Sequence, residues 1–233
     1  MKRAGRLASW LCTAGAVLFG GLAYAYVTLP DVRPLSTKNP ASTAFIDLRA
    51  REAQRDGRTL RASQWWAAYR NISPSLRRAV VIAEDGAFWQ HEGVDYNELR
   101  ISIETNLERG EFARGASTIT QQLAKNLYLS PSRNPIRKLR ELIIARRLEA
   151  ELTKTRILEL YLNVIEWGDG IYGAEAAART YFGKPSSSLS SEEAALLAGA
   201  IINPRVLNPA RPSARLSARQ RIIASRMGSD SEP

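Results

Sequence analysis

Two carboxylates stand side by side in the segment Ala83-Glu84-Asp85-Gly86-Ala87-Phe88-Trp89-Gln90-His91-Glu92-Gly93, directly after the helical-looking stretch Leu76–Ala83. An acid at the apolar end of a helix is partly stripped of water, which raises its pKa and suits it to proton transfer. The same residues can equally form a solvated turn around a core Phe88, with His91 either a hydrogen-bonding residue or a base. A second cluster runs from Arg114-Gly115 through Ser117-Thr118-Ile119-Thr120-Gln121-Gln122 to Lys125-Asn126. It packs hydroxyls, amides and a cation into one helical start, where free N–H groups would make an anion site. A polar surface helix is the plainer alternative, and the pattern is not a Gly-Lys-Ser/Thr phosphate loop. The third cluster is Arg133 followed by Arg137-Lys138-Leu139-Arg140-Glu141. Glu141 is four residues after Arg137, so the two can face each other on a helix; an exposed ion pair of this kind is otherwise worth little. Between Lys125 and Arg156 there are nine Lys or Arg against three Glu, a local charge of +6. A basic groove with two candidate acids, Glu84 and Glu141, could handle a phosphate leaving group and a sugar hydroxyl together.

Helices must carry these residues. Ser73-Pro74 reads as a capped helix start leading into Leu76–Ala83. Asp95 is placed to cap a helix from Tyr96 to Leu107, ended by Gly110. Ser117–Leu129 is a third helix, stopped by Ser130-Pro131, and Ile136–Val164 is helical for most of its length, divided at Thr153 or Thr155. Gly168, Gly170 and Gly173 mark a turn-rich connection. Glu175–Tyr181, Glu192–Ile202 (capped by Ser190 or Ser191) and a basic helix Ala214–Met227 with Arg215, Arg219, Arg221 and Arg226 follow. Residues 30–62, with Pro30, Pro34 and Pro40, read as a linker containing an extended segment at Thr43–Leu48. Long alternating apolar strands and internal repeats are missing from the sequence, so the expected class is mainly α.

From Leu7 to Leu29 there is no Asp, Glu, Lys or Arg over 23 residues, and a helix needs roughly 20 to cross a bilayer core. Lys2, Arg3 and Arg6 precede it, which keeps the amino end cytoplasmic. The expected organisation is therefore a basic tail (1–6), a transmembrane anchor (7–29), the linker (30–62), an exported domain (63–228) and a tail (229–233). A cleaved leader ending at Ala23-Tyr24-Ala25 and a buried core helix are the alternatives.

At 233 residues the chain has room for one medium domain, enough to bury roughly two-thirds of its unfolded surface. An apolar fraction of 45% with 24% charged residues excludes a disordered chain. A single cysteine, Cys12, excludes an internal disulfide framework, and a single histidine, His91, excludes multi-histidine metal sites. The net charge of +10 predicts an anionic partner: nucleic acid, acidic lipid or a phosphorylated substrate. An exported domain would not ordinarily meet nucleic acid.

Together the clusters resemble the monofunctional peptidoglycan glycosyltransferases, the family shared with the polymerase domain of bifunctional penicillin-binding proteins. The pattern Glu-Asp-x-x-Phe-x-x-His-x-Gly is met by Glu84, Asp85, Phe88, His91 and Gly93. Gly-x-Ser-Thr-(Ile/Leu)-(Thr/Ser)-Gln-Gln-x-x-Lys-Asn is met from Gly115 through Asn126, and Arg-Lys-x-x-Glu by Arg137, Lys138 and Glu141. Arg156–Asn163 and Tyr181-Phe182-Gly183-Lys184 are further similar segments, so the likeness runs from about Pro74 to Pro212. Where the family often has an aromatic residue before Arg-Lys, this chain has Pro135-Ile136.

The resemblance implies a lysozyme-like, mainly α glycosyltransferase domain with a small membrane-proximal lobe behind one N-terminal transmembrane helix. It implies lipid II and the growing lipid-linked glycan as substrates, joined through β-1,4 bonds with inversion and release of undecaprenyl pyrophosphate. The catalytic domain would lie in the periplasm, at the bacterial inner membrane, with cell-wall synthesis or division proteins as possible partners and no nucleic acid. Glu84 would be the general base and Glu141 the second carboxylate, either an acid or an organiser of the cations around it. Ser117, Thr118, Gln121, Gln122, Lys125, Asn126, Arg133, Arg137 and Lys138 would bind substrate, with Asp85, Phe88, His91 and Gly115 supporting the motifs. Trp65, Trp66 and Tyr69 would be either a membrane-dipping patch or plain core. No tightly bound cofactor is implied, though a divalent cation (Mg or Mn) could bridge the pyrophosphate. The sequence lacks Ser-x-x-Lys and Lys-Thr-Gly, so no transpeptidase activity is expected. A glycan-cleaving enzyme of the same fold is the rival, since fold does not fix function.

Overall fold

The computed structural model describes residues 27–59, 62–109, 117–132 and 134–229, with scattered positions between 10 and 24. The chain divides into two units, Met1–Asp31 and Val32–Pro233. In the first, the described positions from Trp10 to Val27 are helical, and Trp10, Phe19, Tyr24 and Val27 are exposed. The Thr28 amide and hydroxyl both donate to the Tyr24 carbonyl, at 3.0 and 2.8 Å, at the end of that stretch. Among the described residues no helix is long and apolar enough to cross a membrane. Lys2, Arg3, Arg6 and about half of the 7–29 segment lie outside the described residues.

The second unit is helical apart from one small sheet. Its helices are α1 (Ala44–Arg55), α2 (Pro74–Glu84), α3 (Tyr96–Arg109), α4 (Ile119–Tyr128), α5 (Pro135–Glu151), α6 (Lys154–Val164), α7 (Ala174–Phe182), α8 (Ser191–Ala200) and α9 (Ala214–Ser229). Local chemistry explains most of the starts. Ser73, Thr118, Thr153 and Ser190 each accept the amide two or three positions into their helix, satisfying a donor that would otherwise lack a partner. Ser190 also forms a reciprocal capping box with Glu193. Asp95 accepts from the Glu98 amide at 2.9 Å and so starts α3. Of the two threonines that could divide Ile136–Val164, Thr153 does so.

The segment Thr43–Leu48 is not extended. Thr43 caps α1 by accepting from the Ile46 amide at 3.1 Å, and the good helix formers from Leu48 to Arg55 carry the turn onward. The β-branched and aromatic residues Thr43, Phe45 and Ile46 are outweighed by that cap and by packing against α4. Residues 32–59 therefore belong to the folded unit, where a linker over 30–62 was expected.

α4 packs on α1, α5 and α6, while α8 is held between α2 and α9. Leu76, Val80, Phe88, Ile119, Leu123, Ile144, Leu148, Ile157, Leu158, Tyr161 and Trp167 are fully buried across these contacts. The sheet consists of β1 (Ser63–Gln64), β2 (Glu166–Gly168) and β3 (Ile171–Tyr172), with β3 central, parallel to β1 and antiparallel to β2. Asn163 ties it to α6. Its side chain accepts from the Ala67 amide at 2.8 Å and donates to the Ala67 carbonyl at 2.9 Å, while its carbonyl accepts from Gln64 at 3.0 Å. Trp65, Trp66 and Tyr69 follow, each with a guanidinium over its ring, from Arg179, Arg156 and Arg77 respectively.

Gly173, which opens α7, has φ 83° and ψ 149°, and a Cβ there would lie 2.8 Å from the Asn163 carbonyl oxygen. Both the backbone conformation and the space require glycine. Gly173→Ala is expected to cost about 2–3 kcal/mol, read as a lower midpoint in chemical denaturation. An unchanged midpoint would contradict this.

Candidate active site

Glu84 is the last residue of α2, where the apolar helix ends and the chain turns at Asp85 with φ −165°. Burial pushes its carboxyl above the ordinary glutamate range. A hydrogen bond from Gln122, then Arg219 and Lys125, pull it back, and Asp85 pushes it up again. The Gln122 side-chain amide donates to Glu84 Oε2 at 2.9 Å, and the Tyr161 hydroxyl donates to Gln122 Oε1 at 2.9 Å. Desolvation therefore dominates, which is the condition for a carboxylate basic enough to take a proton.

The loop after Glu84 is bound to the start of α4. Asp85 accepts from the Ile119 amide at 2.9 Å and from His91 Nε2 at 2.9 Å. His91 Nδ1 accepts from the Gly93 amide at 3.1 Å, so the proton of the neutral ring sits on Nε2 and points at Asp85. The Gly93 carbonyl takes donors from the Thr118 hydroxyl at 2.8 Å and from Gln121 at 3.2 Å. Phe88 is fully buried beneath the Lys154 ammonium, 4.5 Å from its ring, and Lys154 pairs with Glu149, which also accepts from Thr120. Asp85, Phe88 and His91 thus brace the loop.

This arrangement alters one expectation. Two N–H groups at the amino end of α4 are already taken, that of Ile119 by Asp85 and that of Gln121 by Thr118. A carboxylate folding back from 34 residues earlier supplies the negative charge, and spacing in the sequence does not show that return.

Glu141, on α5, is only 3% exposed, and its two oxygens are held by Arg137 and Lys138 at 2.5 Å each. Lys138 Nζ also donates to Ser117 Oγ at 3.1 Å and to Gln121 Oε1 at 3.0 Å, so α5 is linked to the start of α4. Lys125 stands between the two carboxylates in its electrostatics. Burial pushes its ammonium pKa down, Glu141 and then Glu84 support the charge, and Arg137 and Lys138 oppose it. Its Nζ lies 5.7 Å from the centre of the Phe45 ring on α1.

A cavity of about 550 Å³ opens on Glu84. Glu84, Asp85, Ser117 and Thr118 line it, together with Asp95 and Glu98 from α3 and Arg219 and Arg226 from α9. Ser117 is where this cavity meets the Lys138–Glu141 cluster. The structure therefore brings together Glu84, Ser117, Thr118, Gln121, Gln122, Lys125, Arg137, Lys138 and Glu141. Asn126 turns back, donating from Nδ2 to the Gln122 carbonyl at 2.8 Å. Gly115 and Arg133 lie outside the described residues.

Arg219 and Arg226 were legible only as charges on a basic helix. Their spacing of seven puts them on one face two turns apart, but nothing in the sequence tells which cavity that face meets. Arg219 Nε is anchored on the Gly199 carbonyl of α8 at 3.1 Å. Tyr161 lies within the similar segment Arg156–Asn163, where nothing local shows that it reaches Gln122.

The arrangement has a carboxylate with a raised pKa on the cavity and, joined to the cavity wall at Ser117, an organised set of cations. A family model described as transglycosylase matches residues 53–228. The chain is 43% identical over 224 residues to a biosynthetic peptidoglycan transglycosylase of Nitrosomonas eutropha, covering 96% of this chain and 92% of that relative. A protein of the same name from Nitrosospira multiformis is 47% identical over 196 residues, 84% of this chain and 85% of the relative. Another, from an Azoarcus species, is 50% identical over 169 residues, 72% and 73% of the two chains. With agreement of this extent, and described residues from all three clusters meeting around one site, the chain belongs to the transglycosylase family, among relatives that are biosynthetic peptidoglycan transglycosylases.

Proposed function

We propose that this chain polymerises lipid II, with Glu84 as the general base. The acceptor's 4-hydroxyl oxygen attacks the donor's anomeric carbon and gives its proton to Glu84, while the bond from that carbon to the pyrophosphate oxygen breaks. A single displacement of this kind inverts an α-linked donor into a β-1,4 bond and releases undecaprenyl pyrophosphate. The observation that carries the reading is that the cavity opening on Glu84 reaches, at Ser117, the Lys138 ammonium of the Arg137–Lys138–Glu141 cluster. A base and a leaving-group receptor on either side of one reacting carbon are what an inverting transfer needs. Positioned cations act most strongly where charge develops in the transition state.

Glu141, gripped on both oxygens by cations, fits the role of organiser better than that of acid. A divalent cation at the pyrophosphate end would be held chiefly by the pyrophosphate's own oxygens. Among the described residues no group of three or more His, Cys, Asp or Glu converges, and both Glu141 oxygens are already taken. Charge neutralisation by the protein itself falls to Lys125, Arg137 and Lys138. The lysozyme-like fold and the periplasmic, inner-membrane location belong to the same reading. It draws support from the uncharged 7–29 segment and from Tyr96, Leu99, Ile103 and Leu107, exposed along one face of α3.

Because burial raises the Glu84 pKa, the acid limb of the rate profile is expected above the ordinary glutamate range. The base works only when ionised, so activity falls as pH drops through that raised value. A limb at or below the range of a free glutamate would contradict the assignment. The reading as a whole is tested by offering the full chain labelled lipid II and, separately, preformed glycan strands. Growth of long strands from lipid II supports polymerisation; fragmentation of the preformed strands without growth favours the lytic rival.

A further inference from the structure

We propose that Tyr161 is a positioning residue for the base: its phenol fixes the Gln122 side-chain amide in the orientation that donates to Glu84 Oε2. The carboxylate's other oxygen is then left for the substrate's hydroxyl. This inference rests on the reading of Glu84 as the general base.

An ionised carboxylate only accepts hydrogen bonds, so the side of the Gln122 amide that faces it must be the NH₂. An amide is nearly symmetrical in shape, and its orientation is decided by what meets its other end. Here the other end meets the hydroxyl of a fully buried tyrosine on α6, at 2.9 Å. Burial, together with Glu84 and Asp85, pushes that phenol well above its ordinary pKa. It therefore stays protonated wherever the enzyme works, and it donates.

The rest of Gln122 has little freedom. Its amide nitrogen donates to the Thr118 carbonyl at 2.9 Å, and its carbonyl accepts from Asn126 at 2.8 Å. Those bonds fix the backbone, and at the side chain the phenol on one end and Glu84 on the other oppose rotation of the amide. A rotated amide would present Oε1 to Glu84, which favours the protonated acid over the ionised base.

The other groups facing Glu84 come from three elements and are untouched by this relay. They are Asp85 after α2, Lys125 on α4 and Arg219 on α9, with Asp95, Glu98 and Arg226 further along the cavity wall.

The test measures lipid II polymerisation by the full chain as kcat/KM against pH, in wild type, Tyr161→Phe, Gln122→Ala and the double variant. Removing the hydroxyl frees the amide to rotate, and removing the amide takes away the donor. Either change is expected to move the acid limb up by about one pH unit. Below the limb this is a loss of about 10-fold relative to each variant's own plateau. The double variant should shift no further than Gln122→Ala, because the two residues act in series.

A Tyr161→Phe limb that stays at the wild-type position would overturn the proposal, as would additive shifts or a uniform loss at every pH. Gln122 is only half-buried, so its variant reads the donor's effect without disturbing the core around Tyr161. Glu84→Gln, run alongside, separates the two levels of the argument. If it still polymerises, the general-base reading fails. If it is inactive while the Tyr161→Phe limb is unmoved, only the relay fails.

Discussion

Glu84→Gln is expected to lower lipid II polymerisation by about 10³-fold or more while leaving the fold intact. Glutamine has nearly the same shape but cannot accept the proton of the attacking hydroxyl. The fold should survive because the ionised carboxylate is held at a cost. Burial raises the folded-state pKa of Glu84 above its unfolded value. For an acid, that sign means the group lowers stability at every pH where the unfolded chain is ionised. A neutral amide removes the penalty, so the variant should melt at or above the wild-type temperature at neutral pH. Gln122, itself held by Tyr161, remains to hydrogen-bond it. Activity loss with an unchanged or raised melting temperature is the expected pair of results. Near-normal turnover would remove Glu84 from the chemistry, and collapse of the fold would mean that its role is structural.

The second large effect is expected at Glu141. Glu141→Gln leaves Arg137 and Lys138 without the carboxylate that holds both, and it removes the leading electrostatic support of the buried Lys125. Breaking a fully buried pair by deleting one partner costs about 3–5 kcal/mol, but Lys138 is 41% exposed and screened by water. A loss of about 2 kcal/mol in chemical denaturation is the corresponding expectation. The rate should fall by about 10²-fold, the scale of losing one preorganised contact to developing charge. As an organiser, Glu141 should lower the rate alike at all pH values. If it instead delivers a proton, its loss would remove or displace the alkaline limb of the profile.

The sequence displayed those parts of the molecule whose causes are local. Ser73, Thr118, Thr153 and Ser190 each announce a helix within three residues of themselves, and each cap is present. The pairing of Arg137 with Glu141 follows from one helical turn. At Thr43–Leu48 two local signals competed, strand-favouring side chains against a capping threonine, and packing on α4 decided for the helix. The rest of the site is non-local. Asp85 closes on an amide 34 positions away, Tyr161 reaches Gln122 across 39 positions, and Arg219 on α9 arrives in the same cavity as Glu84 on α2. Such contacts depend on how helices cross, and the periodicity of one helix does not carry that information. The electrostatic coupling of Lys125 to both carboxylates is of the same kind. All three were named as candidates, but only the fold puts them in one site.

The central claim is that one site couples proton removal at Glu84 to departure of the diphosphate beside Lys125 and the Arg137–Lys138 pair. Its most direct measurement counts undecaprenyl pyrophosphate released against β-1,4 linkages formed, with purified full-length chain and lipid II labelled in both lipid and sugar. The account predicts one diphosphate for each new linkage at all times, with both processes slowed by the same factor in Glu84→Gln. Linkages formed without diphosphate release, or release that persists in Glu84→Gln while linkage formation stops, would contradict it.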